Sequence, residues 1–138
     1  MGSPATDGRV VLLLVEDDTD MRSLLYDELS EMGHRIVEAT NADQALRYVV
    51  DHTPTLVLSD LRMPAGGMGY VSRLRKSAPE VPIILMTAFG DAQTKADALA
   101  LGVAAYFDKP VRIAELKDAI RDILKNRKPM PTDRHRST

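Results

Sequence analysis

The sequence contains no cysteine. That excludes a disulfide scaffold, thiolate zinc sites, iron–sulfur clusters and thiol catalysis, and it fits a reducing compartment. No apolar run approaches the roughly 20 residues needed to cross a bilayer. The longest, Val10-Val11-Leu12-Leu13-Leu14-Val15, is strand length. Residues 1–9 lack the charged start and apolar stretch of a signal peptide. There is no basic excess: 18 Lys and Arg stand against 20 Asp and Glu, for a net charge of −2. This balance argues against wholesale nucleic-acid binding by a basic surface. The GxxxxGK[ST] motif is missing, which excludes a P-loop NTPase, and there is no internal repeat. The expectation is a soluble, cytoplasmic protein with no direct nucleic-acid or membrane partner.

What is present is enough for one hydrophobic core: 138 residues, 44% of them hydrophobic. Short apolar runs alternate with amphipathic segments. Strands are predicted at 10–15, 35–39, 55–59, 81–86 and 103–107. Helices are predicted from 18 to 32, from Asn41 to a break at Pro54, at 70–76, at 91–101 and from 112 to about 125. The first carries Met21, Leu24, Leu25, Leu29 and Met32 at helical spacing, and Asp18 is its expected cap. The second carries Ala45, Leu46, Val49 and Val50, with Asn41 and Gln44 in capping-box spacing. The last carries Ile113, Leu116, Ile120 and Leu124 on one face. This (βα)5 order, with continuously apolar strands, predicts an α/β fold whose parallel sheet is covered on both faces. Residues 1–9 are expected to be a disordered N-terminal extension and 126–138 a linker or flexible tail, around a domain at 10–125.

In an open parallel sheet, ligands bind beyond the carboxyl ends of the strands. The residues placed there are Glu16, Asp17 and Asp18 after the first strand and Asp60 after the third. Thr87-Ala88 follow the fourth strand and Lys109-Pro110 the fifth. Crowded carboxylates repel unless a cation shares them. Oxygen-only donors select a hard cation, and Mg²⁺ suits one or two carboxylates with retained waters. Acids at this position also serve simply to start a helix, as expected for Asp18. An aspartate leaving a buried strand can act as a nucleophile and form an aspartyl phosphate. A threonine hydroxyl and a lysine beside it supply the donors and charge that phosphoryl transfer needs.

The segments Leu14-Val15-Glu16-Asp17-Asp18, Ser59-Asp60-Leu61-Arg62-Met63-Pro64, Leu85-Met86-Thr87-Ala88 and Tyr106-Phe107-Asp108-Lys109-Pro110 each follow or end a predicted strand. Together they resemble the receiver domain of bacterial two-component response regulators, over roughly residues 10–125. The resemblance implies a three-layer, doubly wound, flavodoxin-like sheet of five strands in the order 2-1-3-4-5. It implies that Asp60 is the phosphoacceptor. Glu16, Asp17, Asp60 and the backbone carbonyl of Arg62 would hold Mg²⁺, or Mn²⁺ in its place. Thr87 and Ala88 would bind the phosphoryl group, with Thr87 as the switch hydroxyl. Lys109 would contact a phosphoryl oxygen, Tyr106 would be the switch aromatic, and the bond before Pro110 would be cis. The implied partners are a histidine kinase or histidine phosphotransfer protein and, beyond the C-terminus, an output domain. A homodimer through the fourth helix, fifth strand and fifth helix is also implied.

The family loop Met-Pro-x-x-Asp-Gly places its glycine eight residues after the phosphoacceptor. Here Gly69 is nine after Asp60 and the customary aspartate is missing, as if one residue were inserted. Arg62 and Phe89 fall where the family tunes dephosphorylation. A haloacid-dehalogenase-type phosphatase needs a second aspartate two residues after its nucleophile, where this chain has Arg62. An FMN carrier of the same fold would meet an acidic first loop, the wrong sign for phosphate. A pseudo-receiver that binds partners without phosphorylation remains the alternative to a signalling switch that catalyses only its own phosphorylation and autodephosphorylation.

Overall fold

The computed structural model describes residues 10–88 and 90–126. The expected N-terminal extension, Phe89 and the tail beyond Asn126 lie outside the described residues. Ten elements alternate strictly: β1 (Val11–Val15), α1 (Thr19–Ser30), β2 (Arg35–Ala39), α2 (Ala42–Asp51), β3 (Leu56–Asp60), α3 (Met68–Ser77), β4 (Ile83–Thr87), α4 (Ala92–Ala100), β5 (Ala105–Asp108) and α5 (Ile113–Asn126). All strand pairs are parallel, in the order β2-β1-β3-β4-β5. This is the doubly wound α/β fold, in the strand order the resemblance implies.

Every residue of β1, β3 and β4 is buried, because helices cover both faces. Alternate side chains enter separate cores. Leu13, Val15, Val57, Ile83 and Leu85 meet Ala45 and Val49 of α2, Val71 and Leu74 of α3, and Ala98 of α4. Leu12, Leu14, Leu56, Leu58, Ile84 and Met86 meet Leu25 and Leu29 of α1 and Leu116 and Ile120 of α5. Each fully buried leucine contributes about 2 kcal/mol of transfer free energy. A charged brace adds to the second layer: Lys117 Nζ of α5 lies 3.0 Å from Glu28 Oε1 and 3.6 Å from Glu31 Oε1 beside α1.

Several expected boundaries shift, each for a local reason. Asp18 caps α1 by accepting from the Met21 N–H at 2.9 Å, and Asn41 caps α2 by accepting from the Gln44 N–H at 2.8 Å. The Gln44 side chain reaches back to the Thr40 N–H at 2.7 Å rather than to that of the cap itself. Leu24 and Val50, read as parts of apolar stripes, are 48% and 74% exposed, on the outer edges of α1 and α2. α3 begins two residues before Tyr70, with Gly67 at its cap. β4 starts only after Pro82. β5 starts two residues late because the Val103 N–H turns back to the Ala98 carbonyl and helps close α4.

Candidate functional site

The parallel strands end along one edge, and their backbone ladders continue one step past them. The Glu16 N–H donates to the Ala39 carbonyl at 3.1 Å, the Leu61 N–H to Met86 at 2.8 Å and the Lys109 N–H to Thr87 at 2.8 Å. These bonds hold Glu16, Asp60, Thr87 and Lys109 at the rim of a rigid sheet, although up to 93 residues separate them along the chain.

Lys109 Nζ donates to Glu16 Oε1 at 2.9 Å and lies 3.4 Å from Asp60 Oδ2. Glu16 is fully buried and Asp60 nearly so. Burial pushes the Glu16 pKa up. The Lys109 bond and the Asp18 N–H oppose that shift without cancelling it, and the Asp60 charge adds to it. Burial alone would lower the Lys109 pKa. The hydrogen bond to Glu16 and the Asp60 charge outweigh it, so the ammonium is held protonated.

Carboxylate oxygens of Glu16, Asp17 and Asp60 all lie within 4.8 Å of one another. Asp17 is exposed, so the cluster opens to water. Three oxygen donors at the mouth of a solvated cleft fit a hard divalent ion that keeps part of its hydration shell. The Arg62 N–H donates to Asp60 Oδ1 at 3.2 Å and fixes one carboxylate oxygen, while the Arg62 residue itself is exposed.

Behind Asp60 two hydroxyls meet in the core. Ser59 Oγ lies 2.9 Å from Tyr70 Oη and donates to the Asp60 carbonyl at 2.9 Å. Both residues are fully buried. Burial pushes the Tyr70 phenol up to about 12. In front of Asp60, the lengthened loop folds under itself. Ala65 takes a left-handed φ of 62°. A Cβ at Gly66 would stand 2.8 Å from the Leu61 carbonyl and 2.9 Å from that of Met63, so only glycine fits. The loop borders a cleft of about 590 Å³ whose walls include Arg62, Met63, Pro64, Thr87 and Thr94.

Thr87 is fully buried at the end of β4, and Ala88 beyond it is exposed. Tyr106 is turned inward. Its hydroxyl is buried without a hydrogen-bond partner among the described residues. It occupies the space where a side chain at position 90 would begin: a Cβ on Gly90 would collide with the Tyr106 hydroxyl and sit 2.8 Å from Thr87 Cγ2. Burial, followed by the charges of Asp108 and Asp91, pushes the Tyr106 pKa up. The Lys109–Pro110 peptide bond is cis.

The structure thus gathers Glu16, Asp17, Asp60 and Lys109 at one edge of the sheet, Arg62 and Thr87 line the cleft beside them, and Tyr106 and Thr87 meet at Gly90. Sequence reading missed three features of the site: Arg22, which donates to the Glu16 carbonyl at 2.8 Å, the contact between Ser59 and Tyr70, and the crowding at Gly90. None carries a periodic signal. Gly90 reads in sequence as an ordinary turn before a helix.

The family model for the response regulator receiver domain matches residues 12–121. A probable transcriptional regulator, ycf27, of Guillardia theta is 35% identical over 83% of this chain and 45% of its own length. The chain therefore spans about half the length of such relatives. Sporulation initiation phosphotransferase F of Bacillus subtilis is 32% identical over 82% of this chain and 92% of its own length. Among solved structures, the receiver domain of the sensor histidine kinase PA1611 from Pseudomonas aeruginosa superposes with a TM-score of 0.77 at 26% identity. That match covers 86% of this chain and 99% of the other, which has a magnesium ion coordinated in its active site cleft. Fold and sequence agree, and the chain belongs to the response regulator receiver domain family.

Proposed function

We propose that Asp60 accepts a phosphoryl group from the phosphohistidine of a partner histidine kinase or histidine phosphotransfer protein. The observation that carries this reading is the placement of Asp60 within reach of both Lys109 Nζ, at 3.4 Å, and the Glu16–Asp17 carboxylate cluster. An Asp60 carboxylate oxygen attacks phosphorus and forms the P–O bond. The P–N bond breaks and its electron pair returns to the imidazole nitrogen as a lone pair, so that the ring, protonated on its other nitrogen, leaves as neutral imidazole. Lys109 neutralises charge on the phosphoryl oxygens. Glu16, Asp17, Asp60 and the Arg62 carbonyl would hold Mg²⁺, which when bound would supply positive charge to offset that of the transferred group. Mn²⁺, with similar oxygen preference, would substitute for it.

Phosphorylation adds charge and acceptor oxygens. The Thr87 hydroxyl moves to them and Ala88 lines the phosphoryl group. Tyr106 follows Thr87, and the α4-β5-α5 face shifts its balance between two arrangements. That face would control a homodimer, or an output domain joined after residue 125. The chain acts as a switch on itself, in the cytoplasm, and not on an external substrate. No helix among the described residues is long and apolar enough to cross a membrane.

Intact-mass spectrometry after incubation with a small-molecule phosphodonor tests the reading on wild type and Asp60→Asn, with and without Mg²⁺. The expected result is one phosphoryl gain that requires both Mg²⁺ and Asp60. Equal gain by Asp60→Asn would overturn the assignment.

A further inference from the structure

Arg22 lies on α1, away from the expected ligands, yet it grips the turn that carries two of them. Its Nη1 donates to the Glu16 carbonyl at 2.8 Å, and its Nε lies 3.3 Å from Glu38 Oε1 on β2. Its side chain is only 17% exposed. The Glu16 carbonyl belongs to the peptide joining Glu16 to Asp17. A peptide unit is planar, so holding its oxygen fixes the plane and the directions in which both residues leave it. The Glu16 N–H is already held by the Ala39 carbonyl. Both polar groups of the Glu16 backbone are therefore anchored toward β2, one directly and one through the guanidinium fork. Glu16 Oε2 in turn accepts from the Asp18 N–H at 3.2 Å.

We propose that Arg22 is a positioning residue that aims the Glu16 and Asp17 carboxylates, and thereby sets the affinity of the cleft for a divalent cation. The proposal rests on the reading of this cleft as a cation-assisted phosphoacceptor site. Its sign separates it from a simple charge effect. A guanidinium beside a cation site repels the incoming cation, so a residue acting by charge alone would tighten binding when removed. A positioning residue weakens binding when removed, because the carboxylates lose their shared direction. Partners that orient metal ligands typically govern affinity by 10–100-fold. Lysine cannot replace this arginine, since one ammonium cannot span the carbonyl and the carboxylate as a planar fork does.

The test is calorimetric titration of the full chain with Mg²⁺ alone, without phosphodonor, on wild type, Arg22→Met, Arg22→Lys and Glu38→Gln. Melting in EDTA records fold stability separately. The expected result is about tenfold weaker Mg²⁺ binding in Arg22→Met. Arg22→Lys should recover only part of the loss. Glu38→Gln, which keeps the arginine but frees its second anchor, should lose a few-fold. Wild-type or tighter affinity in Arg22→Met overturns the proposal and leaves the phosphoacceptor reading intact. Should Arg22→Met fail to fold, unchanged affinity in both Arg22→Lys and Glu38→Gln overturns it equally. Failure of wild type itself to bind Mg²⁺ overturns the cation-site reading and the proposal together.

Discussion

Lys109 Nζ and Glu16 Oε1 meet at 2.9 Å across 93 residues of chain, and the same ammonium lies 3.4 Å from Asp60. One cation thus stands between two buried carboxylates that would otherwise repel. Lys109→Ala should fold but slow phosphoryl gain from a small-molecule phosphodonor by about a hundredfold, the scale for losing one preorganised charge donor. Single-turnover mass spectrometry checks this. A rate within threefold of wild type would remove Lys109 from the site.

The carboxylate cluster of Glu16, Asp17 and Asp60 should make stability depend on Mg²⁺. A ligand that binds only the folded state at about 100 times its Kd adds about 2.7 kcal/mol. Urea denaturation with and without Mg²⁺ should show a gain of that order in wild type. In Asp60→Asn, which loses one donor oxygen charge, most of it should vanish. Equal gains in both proteins would place the cation elsewhere.

Tyr70 couples the core to alkaline pH. Its folded pKa of about 12 lies above the ordinary value of 10.0, so folding favours the neutral phenol. That contribution is complete below about pH 10 and is lost as pH rises through 12, amounting to about 3 kcal/mol. Wild type should therefore lose stability relative to Tyr70→Phe between pH 10 and 12. At neutral pH, Tyr70→Phe should cost about 1 kcal/mol, because Ser59 keeps its bond to the Asp60 carbonyl. Parallel denaturation curves at both pH values decide it.

Gly90→Ala should drive Tyr106 out of its inward position, because the new methyl would occupy the space of the Tyr106 hydroxyl. In an otherwise wild-type background the crowding should cost about 1–3 kcal/mol. In a Tyr106→Ala background the cost should fall, leaving the contact with Thr87 Cγ2. A double-mutant cycle measures that difference, and tyrosine ring shifts in NMR report the displaced side chain. Additive effects would contradict the juxtaposition.

The strands buried on both faces announced themselves as unbroken apolar runs, so β1, β3 and β4 were legible to within two residues. The site acids were legible because each ends such a run. Leu24 and Val50 were misread because periodicity assigns a stripe without saying how wide the covering sheet is. β5 was displaced because Val103 looks like strand residue yet spends its N–H on the Ala98 carbonyl. Arg22, Tyr70 and Gly90 act through contacts that exist only after the chain has folded: a guanidinium on a carbonyl, a phenol on a serine, a tyrosine hydroxyl filling the place of a missing Cβ. No spacing along the sequence encodes them.

Tyr106 and Phe107 are neighbours on β5, yet Tyr106 packs against the core beneath α2, α3 and α4 while Phe107 packs against the one beneath α1 and α5. Rotation of the Tyr106 ring loads a single layer, whereas a slide of the whole strand loads both in common. Among the described strands β5 is bonded only to β4, so such a slide strains one seam where any interior strand would strain two. Were β5 to move, a rotation of the Tyr106 ring alone would leave the α1–α5 layer at rest, whereas a slide of the strand would engage both layers through a single ladder.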